Sequence, residues 1–348
     1  MLEPWFSRSV LRLHDNGKES LKTFWLAGLV ALLLLGCSEA PKEATHTHTE
    51  AKEPPKAAPV ASIANGQRGQ GQPYEVIGSE VWDVPDPVSG RDYQVFVALP
   101  KSYAEDAGRR YPVLYVTDAD YAFPLARQIG RRLNVEEPTV EDFILVGLSY
   151  AVGEEGMPSR RRDYTPSPKG PSDAPAGAVH GGGEAYLAYL REQVLPFVAQ
   201  RYRTDESRRL FLGHSYGSLL GTQALLTHPG MFSGYILGSP SYWYDGRYME
   251  RLEAASAKRH EDLAARVYLY VGEYENPRHG KRYDMVEDAR RMARALQSRR
   301  YPSLRIALDV LNDEDHMSVA PRGFTHGLKY LLGVGAAGSG RQVATGGR

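Results

Sequence analysis

The chain has one cysteine, Cys37, no excess of either charge and no apolar run long enough to cross a bilayer comfortably. A lone cysteine excludes internal disulfides and every metal site built from several thiolates. Lys and Arg total 42 and Asp and Glu total 42, so nothing in the charge balance suggests a nucleic-acid partner or a charge-driven membrane surface. The most apolar stretch, Thr23 to Leu35, is short for a membrane span but suits the core of a signal peptide.

That stretch follows Lys18 and Lys22 and runs into Leu34-Leu35-Gly36-Cys37. The ending resembles the bacterial lipobox, and the resemblance implies cleavage before Cys37 and lipid attachment to it. Residues 1–36 are therefore expected to be a lipoprotein signal peptide. Their removal takes away Arg8, Arg12, Lys18 and Lys22 together with Glu3, Asp15 and Glu19, which leaves the chain near neutral. Ser38 stands where an aspartate would favour the inner membrane, so the expected location is the outer membrane, facing the periplasm. Residues 37–72 are rich in Ala, Pro, Glu, Lys, Thr and Gly and cannot bury enough surface to fold, which predicts a flexible tether. His46 and His48 fall in that tract, where paired histidines are commonly incidental. Residues 334–348, dominated by Gly, Ala and Ser, read as a second unfolded tail.

Between 73 and 333 short apolar runs alternate with amphipathic ones, the pattern of an α/β sheet covered by helices on both faces. Tyr74 to Trp82 and Tyr93 to Leu99 predict an antiparallel hairpin at the sheet edge. Buried strands are predicted at Pro112 to Thr117, Phe143 to Leu148, Leu210 to Gly213, Gly234 to Gly238, Val267 to Gly272 and Leu304 to Leu311. Helices are predicted at Tyr121 to Leu133, Glu184 to Tyr202, Ser215 to Leu226, Tyr248 to Ala265, Asp284 to Gln297 and Pro321 to Leu332. The polar segment from Tyr150 to Gly183 is longer than an ordinary connection and reads as a functional or unfolded insertion. Eight strands with a Gly-x-Ser-x-Gly turn after the fifth match the order of the α/β-hydrolase fold.

The turn is Gly213-His214-Ser215-Tyr216-Gly217, entered from an apolar strand and left as a helical pattern. That is the context of a nucleophile elbow, which makes Ser215 the candidate nucleophile. A serine hydroxyl needs a base, and the base needs an orienting group. In this fold the base follows the last strand, where His316 is the only histidine in Asn312-Asp313-Glu314-Asp315-His316-Met317. The acid follows the strand two beyond the elbow strand, in Gly272-Glu273-Tyr274-Glu275. Glu275 is preferred because Gly-x-x-acid spacing places its carboxylate just past the strand end; Glu273 is the alternative. The backbone N–H of Tyr216 is one expected oxyanion donor. The second is assigned to the N–H of Asp120 in Asp118-Ala119-Asp120-Tyr121, unless Asp118 and Asp120 serve only to cap the next helix.

Five segments carry a closer likeness: Leu114 to Asp120, Arg160 to Pro166, Gly213 to Gly217, Ser239 to Trp243, and His316 to Val319. Together they resemble the esterase D-like serine esterases of the α/β-hydrolase fold, the family that includes the siderophore trilactone esterases of bacteria. The resemblance implies a carboxylic-ester hydrolase without a metal or other cofactor, with Ser215 as nucleophile and His316 as base. By the same resemblance the substrate is a small ester, with a ferric siderophore as one form, and acylated carbohydrates or peptides as others. A different class of reading is a hydrolase-fold lipoprotein that binds a ligand without turnover. Ala119 departs from the glycine common in such oxyanion loops. Arg160 and Arg162 either meet an anionic substrate or pair internally, for example with Asp163. Trp243 either lines the substrate pocket or packs beneath it.

Overall fold

The computed structural model describes residues 75–335, which contain one eight-stranded sheet. The expected signal peptide, Cys37, the expected tether and the expected tail after Gly335 lie outside the described residues. The elements run β1 (Ser79–Asp83), β2 (Gln94–Ala98), α1 (Ser102–Glu105), β3 (Tyr111–Val116), α2 (Ala119–Leu133), β4 (Ile144–Leu148) and α3 (Gly156–Asp163). There follow α4 (Gly183–Tyr189), α5 (Leu195–Arg201), β5 (Thr204–His214), α6 (Tyr216–Thr227), β6 (Gly234–Gly238) and α7 (Tyr244–Ser256). The last elements are β7 (Arg266–Gly272), α8 (Met285–Ser298), β8 (Arg305–Leu311) and α9 (Ala320–Leu332).

The strand order is β1-β2-β4-β3-β5-β6-β7-β8. The first two strands pair antiparallel at one edge, and all pairs from β4 onward are parallel. Parallel strands are covered on both faces, which is why β3, β4 and β6 are apolar or glycine at every position but need no alternation. Alternate residues of β3 serve different cores. Val113 and Tyr115 pack in the larger cluster with Leu219 and Leu220 of α6, while Leu114 and Val116 pack with Phe123 of α2 and Phe324 of α9.

Several segments differ from the sequence expectation, three of them in their helices. The helix predicted from Glu184 to Tyr202 is interrupted by a π turn at Leu190–Val194. Pro196 follows it; proline has no amide to donate and its ring clashes with the carbonyl four residues back, so the helix widens there. The helix predicted to reach Ala265 stops at Ser256, and further on the Asp262 carboxylate accepts from the amides of Leu263 (2.8 Å) and Ser303 (3.0 Å). The polar insertion contains an ordered helix, α3, whose Ser159 and Asp163 are buried.

In an open α/β sheet the ligand crevice forms at the carboxyl ends of the strands where the order reverses. Here that point is the neighbouring pair β3 and β5, and the chain leaves them through Thr117-Asp118 and through Ser215.

Candidate active site

Ser215 sits between β5 and α6 with φ 58° and ψ −114°, a conformation that costs a non-glycine residue on the order of 1–3 kcal/mol and persists only when its surroundings enforce it. The surroundings are visible. The Ser215 amide donates to the Gly238 carbonyl at 2.8 Å, and the Ser218 hydroxyl reaches the carbonyls of Gly213 and Gly238, each at 2.8 Å. The two flanking glycines are steric requirements. A Cβ on Gly213 would lie 2.4 Å from the backbone of Gly217, and one on Gly217 would lie 2.3 Å from Thr117 Oγ1. The Ser215 hydroxyl is within 3.2 Å of the Ser241 hydroxyl. Tyr216 begins α6, so its N–H has no intrahelical acceptor and is available to an oxyanion.

His316 and Glu275 are brought together from loops after β8 and β7, with Nδ1 to Oε2 at 2.6 Å. Glu275 is 1% exposed. Its other oxygen accepts from the Ser239 hydroxyl at 2.6 Å and the Gly272 amide at 2.8 Å, so the carboxylate is held on three sides. Ser239 takes φ 39° to reach it. Glu273 is not directed to His316; its carboxylate accepts from the Asp313 amide at 3.1 Å. The base loop is fixed by Asp315, which accepts from the amides of Met317 (2.8 Å) and Ser318 (3.0 Å).

His214 joins the site beside His316. Its Nε2 lies 2.9 Å from the His316 carbonyl, its Nδ1 lies 3.3 Å from the Tyr270 hydroxyl, and its ring centroid is 4.8 Å from that of His316. Burial, reinforced by His316, lowers its pKa to about 3. The ring is therefore neutral, and since a carbonyl only accepts, Nε2 carries the proton and Nδ1 accepts from Tyr270. Tyr270 fits because Gly238 and Gly323 leave room: a Cβ on either would meet its ring or hydroxyl at 2.0 or 2.4 Å.

The loop after β3 turns at Asp118, which takes a left-handed φ of 56° and is 1% exposed. Its side chain caps no helix, contrary to one reading of the sequence. It accepts instead from the Tyr150 hydroxyl (2.8 Å) and from Arg160 Nε (2.9 Å). Asp120 is the second residue of α2, and neither its N–H nor that of Ala119 meets an acceptor among the described residues. The Asp120 carboxyl lines a groove of about 240 Å³ with Phe96, Ser149, Tyr150 and Glu154, and burial with the nearby Asp118 raises its pKa.

Of the two readings for Arg162, substrate contact or internal pair, the structure shows the second: its guanidinium is engaged by Asp163 at 2.8 and 2.9 Å and by Glu154 at 2.5 Å. Arg160 is bound to Asp118. Trp243 stacks face to face on Tyr283, with ring centroids 4.0 Å apart and planes 2° from parallel, and lies 6.3 Å from the Tyr216 ring. An aromatic wall thus stands beside the residue that follows Ser215. Among the described residues no group of three or more His, Cys, Asp or Glu side chains is placed to hold a metal.

Ser239, Ser241, Tyr270 and Tyr283 were not singled out individually from the sequence. Ser239 and Ser241 stood in a segment carrying the family likeness, and only their position after β6, between the elbow and the acid, marks them. A strained serine elbow, a buried acid on a histidine and free helix-N-terminal amides at the carboxyl ends of a parallel sheet define a serine hydrolase of the α/β-hydrolase fold. The chain belongs to the Esterase family, described as "Putative esterase", whose model matches residues 87–317, and it is a serine ester hydrolase.

The chain is 29% identical over 276 residues to the ferri-bacillibactin esterase BesA of Bacillus subtilis, covering 76% of this chain and 93% of that protein. It is 26% identical over 295 residues to the siderophore enterobactin esterase of Emericella nidulans, covering 76% and 97%. The crystal structure of the BES protein from Bacillus cereus shares the fold with a TM-score of 0.66 at 24% identity, covering 77% of this chain and 100% of that one.

Proposed function

We propose that this protein hydrolyses the ester linkages of siderophores, in their iron-loaded form, through an acyl-enzyme on Ser215. The observation that carries the mechanism is the 2.6 Å contact between His316 Nδ1 and the buried Glu275 carboxylate, which leaves Nε2 as the free nitrogen of the base. His316 Nε2 takes the Ser215 proton as Oγ attacks the ester carbonyl. Glu275 fixes the tautomer and stabilises the imidazolium. The Tyr216 and Asp120 amides hold the oxyanion. Collapse expels the alcohol, which receives the proton from His316, and water repeats the sequence in reverse roles to free the acid and regenerate Ser215. The siderophore as substrate rests on the activities named for the two relatives that cover most of their length and of this chain.

The substrate is tested by incubating the full-length protein with a ferric cyclic tri-ester siderophore and following products by mass spectrometry. A linear trimer one water heavier than the ring is expected first, then a linear dimer and monomer as further waters are consumed, with none from Ser215→Ala. Turnover of simple aryl esters with no opening of the siderophore would overturn the substrate.

We further propose that a lipid on Cys37 anchors the protein in the bacterial cell envelope, at the outer membrane facing the periplasm. The support is the Lys18 and Lys22 flank, the apolar run to Leu35, the Gly36-Cys37 junction and Ser38 after it.

A further inference from the structure

Arg160 reaches both ends of the oxyanion site. It projects from α3 in the long insertion, and its side chain is 12% exposed. Nε meets Asp118 Oδ1 at 2.9 Å, Nη2 meets Asp118 Oδ2 at 3.4 Å, and the same Nη2 lies 3.4 Å from the His214 carbonyl in the elbow. Its guanidinium carbon also sits 5.4 Å from the centre of the Tyr216 ring.

The partner surfaces are equally committed. Asp118 receives the Tyr150 hydroxyl on the oxygen that Arg160 Nε occupies, and its own amide meets the hydroxyl of Tyr164 at 3.3 Å. Burial and Asp118 raise the pKa of Tyr150, which keeps that hydroxyl a donor. The elbow abuts the same turn, since a Cβ on Gly217 would lie 2.3 Å from Thr117 Oγ1 and 3.3 Å from Asp118 Oδ2. A left-handed aspartate is a strained turn that needs such bracing.

We propose that Arg160 is a positioning residue for ester hydrolysis: its guanidinium ties the Asp118 turn after β3 to the His214-Ser215-Tyr216 turn after β5, and so sets the spacing of the two oxyanion amides. It does not bind the substrate. The long insertion acts as a brace, with α3 itself held by Asp163, which accepts from the Tyr93 hydroxyl at 2.9 Å and from Arg162. This inference rests on the oxyanion assignment made above. A donor displaced by about 1 Å costs on the order of 100-fold in rate while leaving ground-state binding intact.

The test compares full-length wild type, Ser215→Ala, Arg160→Ala, Arg160→Lys and Asp118→Asn on a neutral ester, p-nitrophenyl acetate, and an anionic one, p-nitrophenyl hemisuccinate. Arg160→Ala is expected to lose about 100-fold in kcat on both esters with KM within about twofold, and to recover part of it with millimolar methylguanidinium. Arg160→Lys keeps the charge without the planar fork and is expected to lose kcat on both esters as well. Asp118→Asn keeps the shape of the turn, and its kcat decides the matter if Arg160→Ala does not fold. A loss confined to KM for the hemisuccinate would make Arg160 a substrate contact and overturn the clamp. Unchanged kcat in both Arg160→Ala and Asp118→Asn would overturn it too. Since Ser215→Ala is measured alongside, activity surviving in that variant marks failure of the mechanism itself, whereas an inactive Ser215→Ala beside active Arg160 variants marks failure of the clamp alone.

Discussion

Nδ1 of His316 and Oε2 of Glu275 are 2.6 Å apart, and the carboxylate they share is held on its far side by Ser239 and the Gly272 amide. Two loops separated by α8 and β8 are thereby fastened at one point. The base is oriented by a group that is itself immobilised, which is the arrangement a general base requires to keep one tautomer through a catalytic cycle.

Replacing the acid is therefore expected to cost chemistry. Glu275→Gln should lower kcat on the order of 10³-fold with KM little changed. Glu273→Gln, whose carboxylate meets only the Asp313 amide among the described residues, should retain kcat close to wild type. Steady-state kinetics on an aryl ester checks the pair, and equal losses in the two variants would contradict the assignment.

Ser239→Ala removes one of the three bonds on the Glu275 carboxylate and leaves the other two. A hydrogen bond to a charged group contributes about 1.5–3 kcal/mol, so thermal unfolding should fall by an amount in that range, together with a decrease in kcat. A variant that melts and turns over like wild type would contradict this.

Gly217→Ala places a methyl group 2.3 Å from Thr117 Oγ1 in a packed turn. Moving that turn is expected to cost about 1–3 kcal/mol of stability and most of the activity, because Thr117 carries the Asp118 loop with it. Denaturant unfolding and kinetics measure the two effects separately.

The buried His214 makes stability depend on acid. Its folded pKa, about 3, lies below that of an unfolded histidine, about 6.5, so between these values the unfolded chain binds the extra proton. Stability contributed by this site is complete above about pH 6.5 and falls by about 1.4 kcal/mol per pH unit as pH drops towards 3. His214→Gln is expected to flatten that portion of the stability-pH curve; an unchanged slope would contradict it.

The anchor is checked by fractionation. Cys37→Ser is expected to move the protein from the membrane to the soluble fraction, and an unchanged distribution would contradict lipid attachment at this residue.

The parts of the fold that were legible in the sequence are those where burial is two-sided. Leu114-Tyr115-Val116 and Leu269-Tyr270-Val271 read as strands because a parallel sheet covered on both faces leaves no polar positions to confuse the pattern. The first half of β5, Thr204 to Arg209, was missed because all six residues are polar or charged and only Thr204 is buried. Helix α3 was missed for a related reason: Gly156-Met157-Pro158-Ser159-Arg160-Arg161-Arg162-Asp163 has no apolar stripe, and its buried contacts are ion pairs and hydrogen bonds. At the site, topology pointed to the loops of Ser215, His316 and the two glutamates. The partnership of Asp118 with Arg160 spans 42 positions and leaves no periodic trace. The role of His214 depends on a backbone carbonyl 102 positions away, which no side-chain pattern encodes.

The central claim is that Ser215 forms the covalent intermediate with His316 as its base. Treating the full-length protein with a fluorophosphonate and mapping the adduct by mass spectrometry tests it most directly. The account predicts a single stoichiometric adduct on Ser215, no adduct in Ser215→Ala, and strongly slowed labelling in His316→Ala. An adduct on another residue, or labelling of Ser215 at the same rate without His316, would contradict it.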